Sequence, residues 1–199
     1  MLILRWTLPN GRAMIEREVI AKAMDIPGAT FPIEVTYLYR LALQAPRGTT
    51  FVELGSYKGR TLTALAYAAQ ERQAKLVSID NYGYEEDSCS LLEVQQNLAK
   101  NDLGETDYIR LIEGDSRQRP VEIANVGLLF VDSCHTKAHF DAEMSTWLEA
   151  VCKDGIIACH DFNSPRWLEM TDAINGWFRN SRYQYLGLER RIIAFKKLF

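Results

Sequence analysis

From Thr49 onward the chain alternates short apolar runs with longer amphipathic stretches, and no other feature restricts its fold as much. The runs are TTFVEL, KLVSID, YIRLIEG, VGLLFVD and GIIACHD, at residues 49–54, 75–80, 108–114, 126–132 and 155–161. Their Val, Ile, Leu and Phe residues stand at consecutive rather than alternate positions, as in strands covered on both faces and hence in a parallel sheet. Between them lie RTLTALAYAAQERQ, SLLEVQQNLAKND, the shorter SRQRPVEIAN and AHFDAEMSTWLEAVC, with apolar residues three and four apart as in helices. Parallel strands joined through helices use right-handed crossovers. The pattern therefore predicts an α/β fold, a doubly wound and mostly parallel sheet with helices on both faces.

The two ends depart from the alternation. Residues 12–45 read as two helices separated by DIPGATFP, whose prolines and glycine stop the first before the second begins. Residues 1–48 are thus a helical layer or a lid, and 49–199 one ligand-binding unit. A further helix is expected in SPRWLEMTDAINGWF, with Ser164 as N-cap and Pro165 at the first helical position. RYQYLGLE and RRIIAFKKL then follow each other with no helix between, which predicts a C-terminal antiparallel hairpin and seven strands in all. At 199 residues, 47% hydrophobic and 25% charged, the chain is long enough for one full core. A formal charge of -3 leaves no basic footprint for nucleic acid, although Arg190 and Arg191 form an adjacent pair. No apolar run approaches the roughly 20 residues needed to cross a bilayer, and MLILRWTLPNGR lacks the build of a signal peptide. Cys89, Cys134, Cys152 and Cys159 show no paired spacing, so reduced thiols in a cytoplasmic protein are expected, with no membrane partner and the oligomeric state open.

The stretch FVELGSYKGRTL carries the first functional signal. A phosphate-binding loop needs four residues between its glycines and then Lys followed by Ser or Thr; here three residues separate Gly55 from Gly59, and Arg60-Thr61 follows. A dinucleotide turn needs a third glycine where Tyr57 stands. Glu53, two residues before Gly55, shares its side of the strand near the strand's end. An anion there repels a diphosphate and favours a ligand bearing ammonium or sulfonium, unless Lys58 neutralises it. Asp80 ends the next strand about 20 residues past the turn, where an acid can accept both ribose hydroxyls. Asp115 ends the third strand beside Ser116, and these two either bond an adenine amino group or cap a following helix.

The order FVELGSYKG, LVSID, LIEGDS, LLFVDSCH and GIIACHDF resembles the class I S-adenosylmethionine-dependent methyltransferases. It is most similar to the family 24-like group, with an Asp-Gly-x-His element after strand four and Gly-Gly-x-Ile…His-Asp on strand five. The resemblance spans residues 49–162. It implies that Glu53, Gly55, Ser56 and Gly59 surround the methionine part of S-adenosylmethionine, Asp80 the ribose, and Asp115 with Ser116 the adenine. Tyr57 and Asp132 complete the candidate cofactor set. Ser133 and Asp154 stand where that group carries glycine.

All three histidines, His135, His139 and His160, lie in the last third of the chain. His135 and His160 fall at the ends of the fourth and fifth runs, which open onto one crevice in a doubly wound sheet, and are the candidate catalytic bases. His139, one helical turn on, is expected to face solvent or cap a helix. Related oxygen methyltransferases hold a divalent ion on acids at these two strand ends. Asp132, His160 and Asp161 are the candidate ligands, the acids suiting magnesium and the imidazole shifting preference toward manganese, iron or zinc. The Cys134-His135 and Cys159-His160 doublets match no zinc spacing. Tyr57, Tyr82, Tyr84, Phe162 and Trp167 line a pocket or simply pack. The reading is methyl transfer to a small-molecule oxygen nucleophile. The alternatives are a nicotinamide-dependent oxidoreductase and a non-catalytic cofactor-binding protein.

Overall fold

The computed structural model describes residues 14–83, 89–104 and 106–199; the expectations for the amino-terminal residues and for Tyr84 fall outside them. In chain order the elements are α1 (Glu16–Met24), α2 (Pro32–Gln44), β1 (Thr50–Leu54), α3 (Arg60–Arg72), β2 (Lys75–Asp80), α4 (Leu91–Lys100) and β3 (Ile109–Glu113). Then come β4 (Val126–Val131), α5 (Lys137–Trp147), β5 (Val151–Cys159), α6 (Leu168–Phe178), β6 (Tyr183–Glu189) and β7 (Ile192–Lys197). The strands form one seven-stranded sheet in the order β3-β2-β1-β4-β5-β7-β6. All neighbours are parallel except β5 with β7 and β7 with β6. This is the doubly wound, mostly parallel sheet that the alternation predicts, ending in the expected hairpin.

Both faces of the sheet are covered. Phe51, Leu76, Leu128 and Phe130 pack on one face against Leu38 of α2 and Leu62 and Leu65 of α3. Val52, Leu129, Val131 and Ile157 pack on the other against Phe140, Met144 and Trp147 of α5 and Ile174 of α6. Each such buried side chain contributes about 1.5–3 kcal/mol, which is why the runs are apolar at consecutive positions. Val19 and Ala23 of α1 and Val35 of α2 bury themselves in the first core, so residues 16–44 share the interior of the α3 layer. No described helix is long and apolar enough to cross a membrane.

Three local expectations are corrected. Residues 116–125 form turns rather than a helix. Pro120 removes a helical N–H donor, and the Arg119 guanidinium ties the segment to the Ile123 carbonyl and to the Thr146 carbonyl of α5. The last helix starts at Leu168 rather than after Ser164, with Trp167 as N-cap. The Ser164 N–H instead closes a turn on the Asp161 carbonyl at 3.2 Å. Strand β5 begins at Val151, four residues early, because its register against β4 shifts and Asp154 takes a left-handed φ of 62°. Aspartate tolerates that conformation better than most residues, which accounts for its place at a position where glycine is expected.

Candidate functional site

Strand alternation puts Glu53, Ser78, Asp80, Asp132 and His160 on the same face of the sheet, at the carboxyl ends of β1, β2, β4 and β5. Gly55 makes the β1–β4 junction possible. A Cβ there would lie 2.2 Å from the Asp132 carbonyl oxygen, and its φ is 87°. Gly59, at φ 93°, starts α3, and its carbonyl accepts the Thr63 N–H and hydroxyl. Tyr57 has a φ of 48°, the left-handed conformation of the glycine it stands in for. That conformation costs roughly 1–2 kcal/mol for a residue with a side chain.

The amides of the turn are already spoken for. Ser56 N–H and Tyr57 N–H both donate to Asp80 Oδ2 at 2.8 Å, and Tyr82 N–H donates to Asp80 Oδ1 at 2.8 Å. A pyrophosphate would have to displace this carboxylate, which is the physical reason the turn does not suit a dinucleotide. About one of the roughly four acceptor positions of Asp80 is left for a ribose hydroxyl, fewer than the two expected. Glu53 is fully buried. Burial, with the charges of Asp132 and Asp80, pushes its carboxyl up to about 8 against the partial offset of the Thr61 and Ser78 hydroxyls. Lys58 turns to Glu93 at 3.8 Å and lies over the Tyr57 ring. Among the described residues, Glu53 Oε1, Ser56 Oγ and the Tyr82 hydroxyl are buried without hydrogen-bond partners, so a ligand bearing ammonium, carboxylate and hydroxyl groups fits this turn.

The second half of the site gathers at the ends of β4 and β5. His135 Nε2 lies 2.8 Å from Asp161 Oδ2 and 3.7 Å from Asp132 Oδ1. His160 Nδ1 lies 3.1 Å from Asp132 Oδ1 and 3.4 Å from Asp161 Oδ2. Neighbouring residues on a strand point apart, but β5 ends at Cys159, and a φ of 58° at Asp161 turns its carboxylate back toward His160. The ring of His135 stacks on Trp167, centroids 4.5 Å apart. Burial opposes charge on both histidines, yet the facing carboxylates outweigh it. Asp132 and Asp161 push His135 up to about 9, and Asp132, Asp161 and Glu34 push His160 up to about 12. Asp132 and Asp161 are held below the usual carboxylate range by the same pairs, against burial. A base must be neutral to accept a proton, and the protein's own charges favour imidazolium at both positions.

Ligand-capable atoms of Asp132, His135 and Asp161 all lie within 4.8 Å of one another. This set differs from the expected Asp132, His160 and Asp161 by exchanging one histidine. His160 is almost fully buried and turns Nε2 toward Glu34 Oε1 at 3.6 Å, whereas His135 keeps some exposure. One imidazole and two carboxylates suit a divalent cation.

A family model described as a methyltransferase domain, family 24, matches residues 52–162, more than half of the chain. The chain belongs to this methyltransferase family. S-adenosylmethionine is its cofactor, and the nicotinamide alternative falls away with the occupied turn amides. No curated protein sequence matches the methyltransferase. Solved structures share its fold. One is CalS11, a TDP-rhamnose 3'-O-methyltransferase of calicheamicin biosynthesis, at 14% identity and TM-score 0.62 over 91% of this chain and 92% of that one. A second is the Podospora anserina methyltransferase PaMTH1 with S-adenosylhomocysteine bound, at 16% and 0.64 over 92% and 87%. A third is an rRNA methylase from Streptococcus thermophilus, at 13% and 0.60 over 87% and 100%. At such identities the likeness is one of fold, and it spans different acceptors.

Other candidate positions of the methyltransferase are engaged within the protein. Asp115 is paired with Arg117 through three hydrogen bonds of 2.7–3.1 Å, which hold its carboxyl down to about 2. The Ser116 hydroxyl turns inward, 2.5 Å from Glu143 Oε1 and 3.0 Å from His139 Nε2, so it is hydrogen-bonded within the protein. His139 is therefore neither a solvent residue nor merely part of a helix cap. It joins a network in which Ser133 also donates to the fully buried Glu143, at 2.5 Å. The hydroxyl thus gives Ser133, which replaces the family glycine, a partner. Cys159 packs in the second core, on the face opposite His160. Sequence reasoning missed Glu34 and Glu143. Glu34 Oε2 accepts the Phe31 N–H at 2.7 Å, an ordinary helix-capping bond, while its Oε1 reaches the site. Only the capping is visible in the order PIE.

Proposed function

We propose that the methyltransferase acts on a hydroxyl of a small-molecule acceptor, with a divalent cation assisting. The convergence of Asp132, His135 and Asp161 beside the glycine turn carries this reading. Glu53, Gly55, Ser56, Tyr57 and Gly59 hold the methionine part of the cofactor, Asp80 one ribose hydroxyl, and Asp132 borders the reacting end. S-adenosylmethionine would supply an electrophilic methyl group, whose carbon the acceptor oxygen attacks in line as the carbon–sulfur bond breaks and S-adenosylhomocysteine leaves. Asp132, His135 and Asp161 would hold a divalent cation, which lowers the pKa of a hydroxyl bound to it.

The chain's own residues position and deprotonate the acceptor. Asp132 and Asp161 accept its hydroxyl hydrogen bond and orient the oxygen. His160, gripped between Asp132 and Glu34, positions Asp132. His135 is the more exposed imidazole, its plane set by Trp167, so it either ligates the cation or, where no cation is bound, receives the proton once neutral. The formal charge of -3 suits a small acceptor rather than RNA, and the TDP-sugar substrate of CalS11 is consistent with one.

The test is calorimetric titration with S-adenosylhomocysteine, then conversion of S-adenosylmethionine with panels of phenols, sugars, nucleotide sugars and rRNA fragments. Each panel is run with chelator and with added magnesium or manganese. Turnover of a hydroxylated small molecule that stops with chelator and returns with the ion is the expected outcome. Turnover indifferent to chelator removes the metal, methylation of rRNA alone removes the small-molecule acceptor, and cofactor binding with no turnover favours a non-catalytic binder.

A further inference from the structure

The adjacent arginines Arg190 and Arg191 form the two-residue turn between β6 and β7. Strand β7 runs antiparallel to β5 with Ile193 opposite Cys159, so the turn lies at the sheet edge that carries His160 and Asp161. The Arg191 N–H donates to Glu34 Oε1 at 3.3 Å, and the Arg191 carbonyl accepts from Phe162 N–H at 3.1 Å, which fixes the turn against the site. The Arg191 guanidinium is 3.9 Å from Asp161 Oδ1, and that of Arg190 is 3.8 Å from Glu34 Oε1 and lies over the Phe31 ring. Both distances exceed hydrogen-bond range, and among the described residues neither guanidinium donates a hydrogen bond. Arg60, Arg72 and Arg119, by contrast, donate to carbonyls of the fold at 2.5–3.3 Å.

Two observations set the pair apart from ordinary surface arginines. Their side chains are 43% and 35% exposed, so the donors reach solvent beside the reacting groups. Arg190 has a φ of 54°, a conformation that glycine adopts without strain and arginine does not. Strained residues persist where the surroundings hold them, commonly at functional sites.

We infer that the acceptor carries an anionic group, a carboxylate or a phosphate, which Arg190 and Arg191 receive while its hydroxyl lies at Asp132, His135 and Asp161. This rests on the acceptor site proposed above and adds the class of molecule that enters it. A guanidinium presents two parallel N–H donors that match either oxyanion, which a lysine cannot do. The carboxylates of Asp161 and Glu34 are themselves faced by His135 and His160, so the arginines keep charge for a ligand.

The experiment uses three probes that share a ring and a hydroxyl and differ in the third group: 4-hydroxybenzoate, 4-hydroxyphenyl phosphate and 4-hydroxybenzyl alcohol. Each is titrated into protein saturated with S-adenosylhomocysteine, whose own affinity is measured first. At least one anion is expected to bind about tenfold tighter than the alcohol, and the better of the two names the source. In the double variant Arg190→Gly and Arg191→Gln that preference falls to about twofold with the S-adenosylhomocysteine affinity unchanged. Arg190→Gly relieves the backbone strain and protects folding. Arg191→Lys, which keeps the charge and loses the fork, retains only part of the preference. Equal binding of alcohol and anions, no binding of any probe, or a preference that survives the double variant overturns the inference alone. Failure of S-adenosylhomocysteine to bind overturns the methyltransferase site reading itself.

Discussion

Replacing Glu53 with Gln tests the buried acid on which the cofactor assignment turns. Gln has nearly the same shape and cannot ionise. Glu53 moves from an ordinary 4.5 to about 8 on folding, so between those values the folded protein binds more protons there than the unfolded chain. Stability therefore falls as pH rises through this window, unlike the usual case of a carboxylate with a depressed pKa. The shift corresponds to about 5 kcal/mol at full extent, of which about 3 kcal/mol is felt at pH 7. In a chain of this size, where 1 kcal/mol moves Tm by about 2–4 °C, the Gln variant should gain about 10 °C on the wild type between pH 5 and pH 8. Scanning calorimetry of both proteins across that range reads the difference, and other titrating groups cancel in the comparison. Parallel pH profiles would refute the account of Glu53 as a buried, protonated acid. The same logic links it to the cofactor. A sulfonium or ammonium beside Glu53 restores its ionisation, so S-adenosylmethionine binding at pH 7 should release nearly one proton in the wild type and none in Glu53→Gln. Calorimetry in two buffers of different ionisation enthalpy counts that proton.

Three further outcomes are expected. His135 should titrate near 9 by NMR, and Asp161→Asn should return it toward 6.5. Because its folded pKa is raised, its contribution of about 3 kcal/mol is present below 6.5 and lost as pH climbs to 9, and a value near 6.5 in the wild type would contradict the pairing. Gly55→Ala should destabilise by more than about 3 kcal/mol or abolish folding, since both φ and the Asp132 carbonyl exclude a methyl group; an unchanged urea midpoint would count against the close β1–β4 approach. Glu143→Leu should cost about 1–3 kcal/mol by leaving the Ser133 hydroxyl without its partner and the Ser116 hydroxyl with His139 alone, and Ser116→Ala with Ser133→Ala added should recover part of that loss in the triple variant.

The elements were legible because each depends on a local period. Consecutive apolar residues marked β1, β2, β4 and β5, and apolar residues three and four apart marked α3, α4 and α5. Where a single tertiary contact overrides the period, reading failed. Residues 116–125 have helical spacing, but Arg119 and Pro120 undo it, and Trp167 is drawn to His135, which delays α6. Asp80, Asp132 and Asp161 were legible as acids at strand ends, since chain order alone places them there. Their partners were not. Glu34 lies 157 positions from Arg191 and 126 from His160, and it reads as a capping residue. Likewise Ser116, Ser133, His139 and Glu143 look unrelated along the chain.

By itself, then, the sequence determined the layers, the handed succession of strands and helices, and which strand ends bear acids, because hydrophobic period and crossover geometry are properties of short segments. The tertiary structure alone decided that Asp80 fills the glycine turn, that Glu53 is sealed from water, and that both His135 and His160 face the two aspartates. Those outcomes depend on which strands become neighbours and on how completely water is excluded between them. Both are set only when the whole sheet has closed.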